Sequence, residues 1–217
     1  MSWVDSRYAC PTVIDEADVS HLSPDLVIGT QSDFLPREEQ GFPAITNWSQ
    51  LALARSVWSA PGHSLDGASL RSAGRSVRPL IENGVMRKVG DKLEVAELPE
   101  RPFGEIIAIE LKMKDWRKAI RQAARYQSFA DLSYIAMPET AVRDEVLNAA
   151  EMLGVGVLAL APGRCELIAD AEPSTIIDPA LASLASELLF STETGQKQFP
   201  RAAGSRRGIA TEPVLVG

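Results

Sequence analysis

The chain has 217 residues, of which 45% are hydrophobic, so it can bury the core of one domain or of two small ones. Its net charge of −7 argues against a surface that is basic throughout, although affinity for phosphate follows a local patch rather than the total charge. Two cysteines and two histidines exclude a disulfide scaffold and a histidine-rich metal site.

The first predicted elements are two short strands, at 11–18 and 24–29, joined by a short polar link. Loop-like sequence follows to residue 46. Asn47 is a favourable helix cap, with Gln50 three residues later, and it predicts a helix that ends near Ser59.

Two more short helices are predicted at 64–73 and 76–83. They are followed by a β-hairpin at 85–96, in which Gly90 comes first in a tight turn. Three short helices and a hairpin in this order resemble a winged-helix module, and we assign residues 42–98 to a winged-helix-like insert.

The rest of the chain alternates strands and helices, which is typical of an α/β domain. After a linker at 99–104 the predicted elements are a strand to 112, a helix at 115–130, a strand at 132–137, a helix at 138–153, strands at 155–161 and 164–170, and a helix at 178–190. The sequence over 191–217 is polar and without periodicity, so a flexible tail is predicted there.

An unusual pair of charges lies at the end of the strand that is predicted to run to 112. Glu110 and Lys112 are two residues apart, so in a strand their side chains lie on the same face. A carboxylate and an ammonium on an otherwise apolar strand are costly unless both are paired or used. One chemistry that uses such a pair is the hydrolysis of a phosphodiester, in which a carboxylate binds Mg²⁺ and a lysine stabilises a water or the developing charge.

The region 105–170 resembles the PD-(D/E)XK nuclease superfamily, and in particular its small prokaryotic members. The matching residues are Glu110-Leu111-Lys112, Asp115-Trp116, Gln122-Ala123, Tyr126 and Ser133-Tyr134. The resemblance implies a restriction-endonuclease-like fold, in which helices flank a mixed central sheet. Its core would be discontinuous, formed by 1–29 and 99–190.

The resemblance also implies a metal-dependent DNA endonuclease that uses Mg²⁺ or Mn²⁺. In such a site Asp25, Glu110 and the carbonyl of Leu111 would bind the metal. Lys112 would assist hydrolysis and Gln122 would support the site.

The first acid of the family pattern has two candidates. Asp25, at the start of the second predicted strand, is favoured because Pro24-Asp25 followed by apolar residues is closer to the family's sequence. Glu94, on the hairpin, is the alternative, and it would make the hairpin part of the nuclease core with no winged helix. Glu16 is a further candidate acid.

Basic residues cluster in two segments that flank the proposed site, and a phosphate backbone could bind to both. The predicted DNA-binding residues are Lys114, Arg117, Lys118, Arg121 and Arg125 in the first segment, and Arg75, Arg78, Arg87 and Lys88 in the second. The usual explanation of such charges is a solvated face.

Three functions stay open from the sequence. The first is a DNA endonuclease, with DNA favoured over RNA. The second is a catalytically inactive, DNA-binding or regulatory protein that keeps the nuclease fold, and the third is an assembly factor. A homodimer is left open. The first residues lack the features of a signal peptide, and no apolar run approaches the roughly 20 residues of a membrane span, so we expect a cytoplasmic protein without a membrane partner.

Overall fold

Nine β-strands and five α-helices make up the part of the chain that this computed structural model describes, residues 11–32, 43–60, 62, 64–65, 77–95, 103–175 and 177–193. They form an α/β architecture with a mixed six-stranded sheet, flanking helices and a second sheet of three strands. Within these ranges no helix has the length and apolar character needed to cross a membrane.

The large sheet is mixed. Its strands are β1 (Thr12–Asp15), β2 (Leu26–Ser32), β6 (Phe103–Leu111), β7 (Leu132–Pro138), β8 (Gly156–Ala161) and β9 (Arg164–Ala169). They follow one another across the sheet in the order β1-β2-β6-β7-β8-β9. The central strands β6, β7 and β8 are parallel to one another, and the pairs at both edges are antiparallel.

Strand β6 is buried on both faces, which explains its nearly continuous run of apolar residues. Ile106 and Ala108 belong to the largest hydrophobic cluster, whereas Ile107 and Ile109 belong to a cluster on the opposite face. Alternation along the strand therefore puts Glu110 on the same face as Ile106 and Ala108. The side chain of Glu110 is therefore directed toward the face of the sheet that carries the largest hydrophobic cluster.

Three helices flank the large sheet, and all were expected from the sequence. They are α3 (Trp116–Tyr126), α4 (Asp144–Glu151) and α5 (Pro179–Glu193). Helix α3 begins at the Asp115 cap, which accepts a hydrogen bond from Lys118 N–H at 3.1 Å. Asp178 accepts from Ala180 N–H at 2.8 Å and so begins α5, as predicted.

The ends of these helices differ from the prediction. Helix α3 ends at 126 because the chain turns and Asp131 N–H donates to Ile106 C=O at 2.8 Å, which starts the next strand. The helix predicted at 138–153 is divided, since Val142 and Arg143 are extended between a 3-10 turn at Glu139–Ala141 and α4. Helix α5 continues to Glu193, beyond 190, and the predicted tail from 194 onward lies outside the described residues.

The smaller sheet consists of β3 (Ser64–Leu65), β4 (Met86–Val89) and β5 (Lys92–Val95), in the order β3-β5-β4. It accompanies α1 (Trp48–Ser59) and α2 (Val77–Glu82). The hairpin is where the sequence predicted it, and Gly90 has the positive φ of 59° that its turn requires.

One helix prediction in this unit is wrong at its start. The helix predicted at 64–73 begins instead with the strand pair Ser64–Leu65, because these residues pair with Glu94 and Leu93 of β5. The remainder of that prediction, 66–73, lies outside the described residues, as does most of the predicted linker. Phe103 and Gly104, also predicted as linker, belong to β6.

The small unit, which consists of the three-stranded sheet with α1 and α2, packs onto the large sheet and its helices through α1 and α5. The carboxylate of Glu187, buried in α5, accepts a hydrogen bond from Ile45 N–H at 2.7 Å, and Arg55 of α1 donates to the Ser183 hydroxyl. One hydrophobic cluster includes residues of both units, among them Leu51 and Leu184. The exact domain boundaries at 29, 42, 98 and 99 stay a prediction.

Close packing in the large sheet makes Gly156 of β8 sensitive to substitution. A Cβ atom there would lie 2.3 Å from two ring carbons of Tyr134 and 2.8 Å from the backbone nitrogen of Ala171. We expect Gly156→Ala to lower the free energy of unfolding by about 2 kcal/mol, because the backbone on one side cannot move away easily. Urea denaturation measures the change.

Ile168→Val is the control, since Ile168 lies on the neighbouring strand β9 and is 44% exposed. It should change the free energy of unfolding by less than about 0.5 kcal/mol. Equal stability of Gly156→Ala and the parent protein would contradict the packing described for β8.

Candidate functional site

Glu110 is the centre of the candidate site. It is the penultimate residue of β6 and is only 1% exposed. Its Oε1 lies 2.5 Å from Lys112 Nζ, and its Oε2 accepts a hydrogen bond from the Tyr126 hydroxyl at 2.7 Å. The predicted side-by-side placement of Glu110 and Lys112 is therefore present.

Tyr126 connects this carboxylate to a second part of the chain. Its hydroxyl oxygen is also 3.2 Å from the carbonyl of Ser23, which precedes β2. A hydroxyl has one proton to donate. The shorter contact and the negative charge both favour donation to Glu110.

Glu110 raises the pKa of both of its partners. The hydrogen bond to Glu110 raises the pKa of Lys112, and the charges of Asp25 and Asp115 raise it further. Burial raises the pKa of Tyr126 and its bond to Glu110 adds to the effect, whereas Gln122 opposes it. At neutral pH the lysine is charged and the tyrosine keeps its proton.

Asp25 lies beside Glu110. It immediately precedes β2, whose Leu26 pairs with Ile109, so Asp25 is opposite Glu110 in the antiparallel register. Its Oδ2 accepts a hydrogen bond from Leu111 N–H at 2.7 Å. Of the two candidate first acids, Asp25 is the one that the fold brings to the end of β6.

The alternative acid, Glu94, lies elsewhere. It is on β5 of the three-stranded sheet, where its Oε2 accepts a hydrogen bond from Arg87 Nε at 3.1 Å. The hairpin is therefore no part of the large sheet, and the interpretation that made it a strand of the same core as Glu110 is wrong. The cause is topological, because β2 and not the hairpin pairs with β6.

Glu16 approaches the site through its backbone. Its N–H donates to the carbonyl of Asp25 at 2.9 Å, while its side chain is exposed. Among the described residues no three acidic, histidine or cysteine side chains come together as a metal-binding group. The role of Glu16 as a further acid stays a prediction.

Two oxygen atoms complete the local set of acceptors. Lys112 N–H donates to Ala136 on β7, whereas Leu111 N–H points the other way, to Asp25. The backbone groups of one strand residue point to the same side, so the Leu111 carbonyl lies on the Asp25 side of β6. The Oε1 atom of Gln122 is buried and has no hydrogen-bond partner among the residues that the structure describes.

These oxygen atoms are suitable ligands for a hard divalent cation. Mg²⁺ is held in proteins by one or two carboxylates together with other oxygens and water, and Asp25, Glu110 and the Leu111 carbonyl are of this kind. An amide oxygen that is buried without a donor, as in Gln122, is costly unless a water or an ion compensates it.

The basic residues of α3 and its N-terminal turn form an exposed strip, as the sequence indicated. All five are exposed: Lys114, Arg117, Lys118, Arg121 and Arg125. Arg117 lies 4.1 Å above the ring of Trp116, which restricts its guanidinium.

The second basic segment is partly neutralised. Arg78 is paired with Glu82 at 2.7 Å within α2, and Arg87 with Glu94 at 3.1 Å. Lys88 is exposed on β4, and Arg75 lies outside the described residues. The two segments therefore differ in how much positive charge is available.

The contact between Tyr126 and Ser23 had no signal in the sequence. The carbonyl of Ser23 joins Tyr126 through the backbone, so the contact does not depend on the type of side chain at position 23. The contact between Tyr126 and Glu110 did have a signal in the sequence. Tyr126 is one helical turn from Gln122, so both side chains could be expected on the face of α3 that is turned toward the site.

Comparisons with known proteins add little to this geometry. No family model matches the chain, and no curated protein matches its sequence. Among solved structures the chain is similar to a protein of unknown function from Silicibacter pomeroyi, with 22% identity, a TM-score of 0.32 and 42% of this chain covered. It spans 59% of the length of that protein.

Removal of the lysine tests the energetics of the pair. Lys112→Met leaves the buried Glu110 carboxylate with Tyr126 as its partner, and we expect the free energy of unfolding to fall by about 3 kcal/mol at neutral pH. The pKa of Lys112 is raised above its ordinary value of 10.5. The stabilisation that the charged lysine provides is therefore complete below pH 10.5, and it is lost as the pH rises through the pKa of the folded state. Urea denaturation at neutral and at alkaline pH measures this, and the difference in free energy of unfolding between the parent protein and Lys112→Met should be smaller at alkaline pH.

Two further variants serve as controls. Lys118→Met removes an exposed charge of the neighbouring helix α3 and should have little effect on the free energy of unfolding. Combining Lys112→Met with Glu110→Gln should recover much of the loss, since the buried charge is then absent. A fall of the same size in Lys118→Met would contradict the assigned role of the pair.

Proposed function

We propose that this protein is a metal-dependent nuclease of the PD-(D/E)XK type that hydrolyses phosphodiester bonds in DNA. One observation carries the proposal: Asp25 immediately precedes β2, Glu110 lies in β6 and Lys112 follows it, and the pairing of the two strands brings the three residues to one end of β6. The mixed sheet with flanking helices supports a restriction-endonuclease-like fold for the core.

Asp25, Glu110 and the Leu111 carbonyl would hold Mg²⁺ or Mn²⁺ at this point. The bound ion supplies Lewis acidity, which makes a phosphate easier to attack and a water easier to deprotonate. The bond from Leu111 N–H orients Asp25, and the position of Glu110 in β6 fixes the second carboxylate before any ligand arrives.

Lys112 provides the positive charge of the site. Its raised pKa keeps it protonated at neutral pH, so it donates hydrogen bonds to a phosphate oxygen or to the attacking water. Tyr126 holds Oε2 of Glu110 in place, and the unpartnered Gln122 oxygen is available to a water. Tyr126 and Gln122 are positioned by α3, and the backbone of Lys112 is held by its hydrogen bond to Ala136 of β7.

A winged-helix-like unit that helps to dock the duplex is the second part of the proposal. The order α1, β3, α2, β4, β5, with β3 paired to β5, supports it, because the hairpin then extends from a small sheet next to helices. Exposed Lys88 on β4 is available for a phosphate, whereas Arg78 and Arg87 would first have to leave their acidic partners.

The test is cleavage of plasmid DNA in the presence of Mg²⁺ or Mn²⁺. We expect Asp25→Asn, Glu110→Gln and Lys112→Met each to reduce the rate by about a hundredfold or more, because each removes a ligand or a transition-state charge. Glu94→Gln is the matched control and should cleave at the parental rate. Each variant is checked for folding by its urea transition.

Cleavage that survives Glu110→Gln and Lys112→Met in a preparation that cuts DNA would refute the assignment. Loss of cleavage in Glu94→Gln, with Asp25→Asn unaffected, would transfer the first acid to the hairpin. The first result leaves the description of the fold intact, whereas the second would contradict the placement of the hairpin outside the large sheet.

One observation favours a second function. Both oxygens of Glu110 already have protein partners, Lys112 and Tyr126, so a metal must displace or share one of them. A DNA-binding protein that keeps the nuclease fold without catalysis would need no such exchange. Tight binding of duplex DNA without cleavage in either metal would select this alternative.

Both functions require that the strip on α3 binds phosphates. Replacing Arg121 and Arg125 with alanine should weaken DNA binding and reduce the dependence of log K on log salt by about 0.9 for each phosphate that the variant no longer neutralises. Arg164→Ala is the control, since Arg164 is exposed on β9, three strands from β6. Fluorescence anisotropy over a salt series measures the slopes, and equal slopes would exclude α3 from the interface.

A further inference from the structure

Met113 is an exposed apolar residue next to the candidate site. It follows Lys112 in the turn between β6 and α3, and 71% of it is accessible to solvent. Leu111, one residue before Lys112, is also exposed at 38%. A single exposed apolar side chain is common on protein surfaces, so its surroundings decide whether it has a role.

Most sequence neighbours of Met113 are basic. Lys112 and Lys114 flank it, and Arg117 and Lys118 follow in the first turn of α3. The single acid of this turn, Asp115, is engaged as the cap of α3 through the backbone of Lys118. An exposed apolar side chain between basic neighbours in the sequence is suited to a polyanion whose interior is apolar, and a nucleic acid has this character.

Methionine is unbranched and adaptable, so it can enter a narrow and irregular gap. Proteins that bend DNA insert such apolar side chains between base steps, at the cost of unstacking them. The cost is smallest where a base is mismatched or already unpaired. An apolar tip one residue from the proposed catalytic lysine would therefore discriminate between well-stacked and weakly stacked DNA.

We propose that Met113 is a wedge that enters a weakly stacked base step beside the scissile phosphate and gives this protein a preference for duplex DNA with a mismatch or an unpaired base. The proposal rests on the proposed function, because it specifies the substrate of the same site. Lys112 and Lys114 hold the phosphates on either side, and Met113 occupies the gap that the disturbed step provides.

The experiment compares three duplexes of the same length: fully paired, with one central mismatch, and with one unpaired base. Each carries 2-aminopurine beside the disturbed step, and Ca²⁺ replaces Mg²⁺ during binding. The parent protein should bind the disturbed duplexes about tenfold more tightly than the paired one and should raise the fluorescence of 2-aminopurine by unstacking it.

Met113→Ala and Met113→Ser should bind all three duplexes alike and should lose the fluorescence rise, whereas Met113→Leu should retain both. Met152→Ala is the matched control, since Met152 is 85% exposed but lies just after α4. It should behave as the parent protein does.

The outcomes separate the two proposals. Binding and cleavage of all three duplexes at equal strength by the parent protein would refute the wedge and leave the nuclease proposal intact. Selectivity that persists in Met113→Ala would refute the wedge as well. No binding and no cleavage of any duplex would refute the proposed function itself.

Discussion

The Glu110 carboxylate is withdrawn from water at the end of the central strand, and the nearby polar contacts compensate for this burial. A buried charge without partners costs several kcal/mol, so β6 can carry this residue near its end only if hydrogen-bond donors are close. Lys112 and Tyr126 provide them, at 2.5 Å and 2.7 Å. The two donors come from the same strand end and from the helix that follows it, so one short segment creates the cost and compensates for it.

The sheet extends this local solution to the rest of the fold. Antiparallel pairing of β2 with β6 places Asp25 opposite Glu110, and the parallel pairing of β6 with β7 leaves Leu111 N–H free to bind Asp25. Helix α3 covers the same face and carries Tyr126 inward, while its cations remain exposed. Carboxylates, ammonium and basic helix thus lie at one end of the sheet, where a phosphate could reach all of them.

Local patterns in the sequence predicted most elements and half of the site. The i, i+2 spacing of Glu110 and Lys112 was sufficient to predict their contact, and the caps Asn47 and Asp178 were sufficient to begin two helices. The partner of β6 could not be obtained in this way, because Asp25 and Glu94 are both acids next to strand-forming residues. What distinguishes the two acids is that β2 pairs with β6, about 80 residues later in the chain, and the hairpin does not. Local sequence patterns do not predict strand pairing over such distances.

Direct measurement of metal binding tests the central claim, that Asp25 and Glu110 form one divalent-cation site at the end of β6. Titration of the protein with Mn²⁺, followed by the electron paramagnetic resonance signal of the free ion, gives the number of sites and their affinity without requiring cleavage. The account predicts one site that is lost in both Asp25→Asn and Glu110→Gln and retained in Glu94→Gln. Mn²⁺ binding that is the same in all four proteins would contradict it.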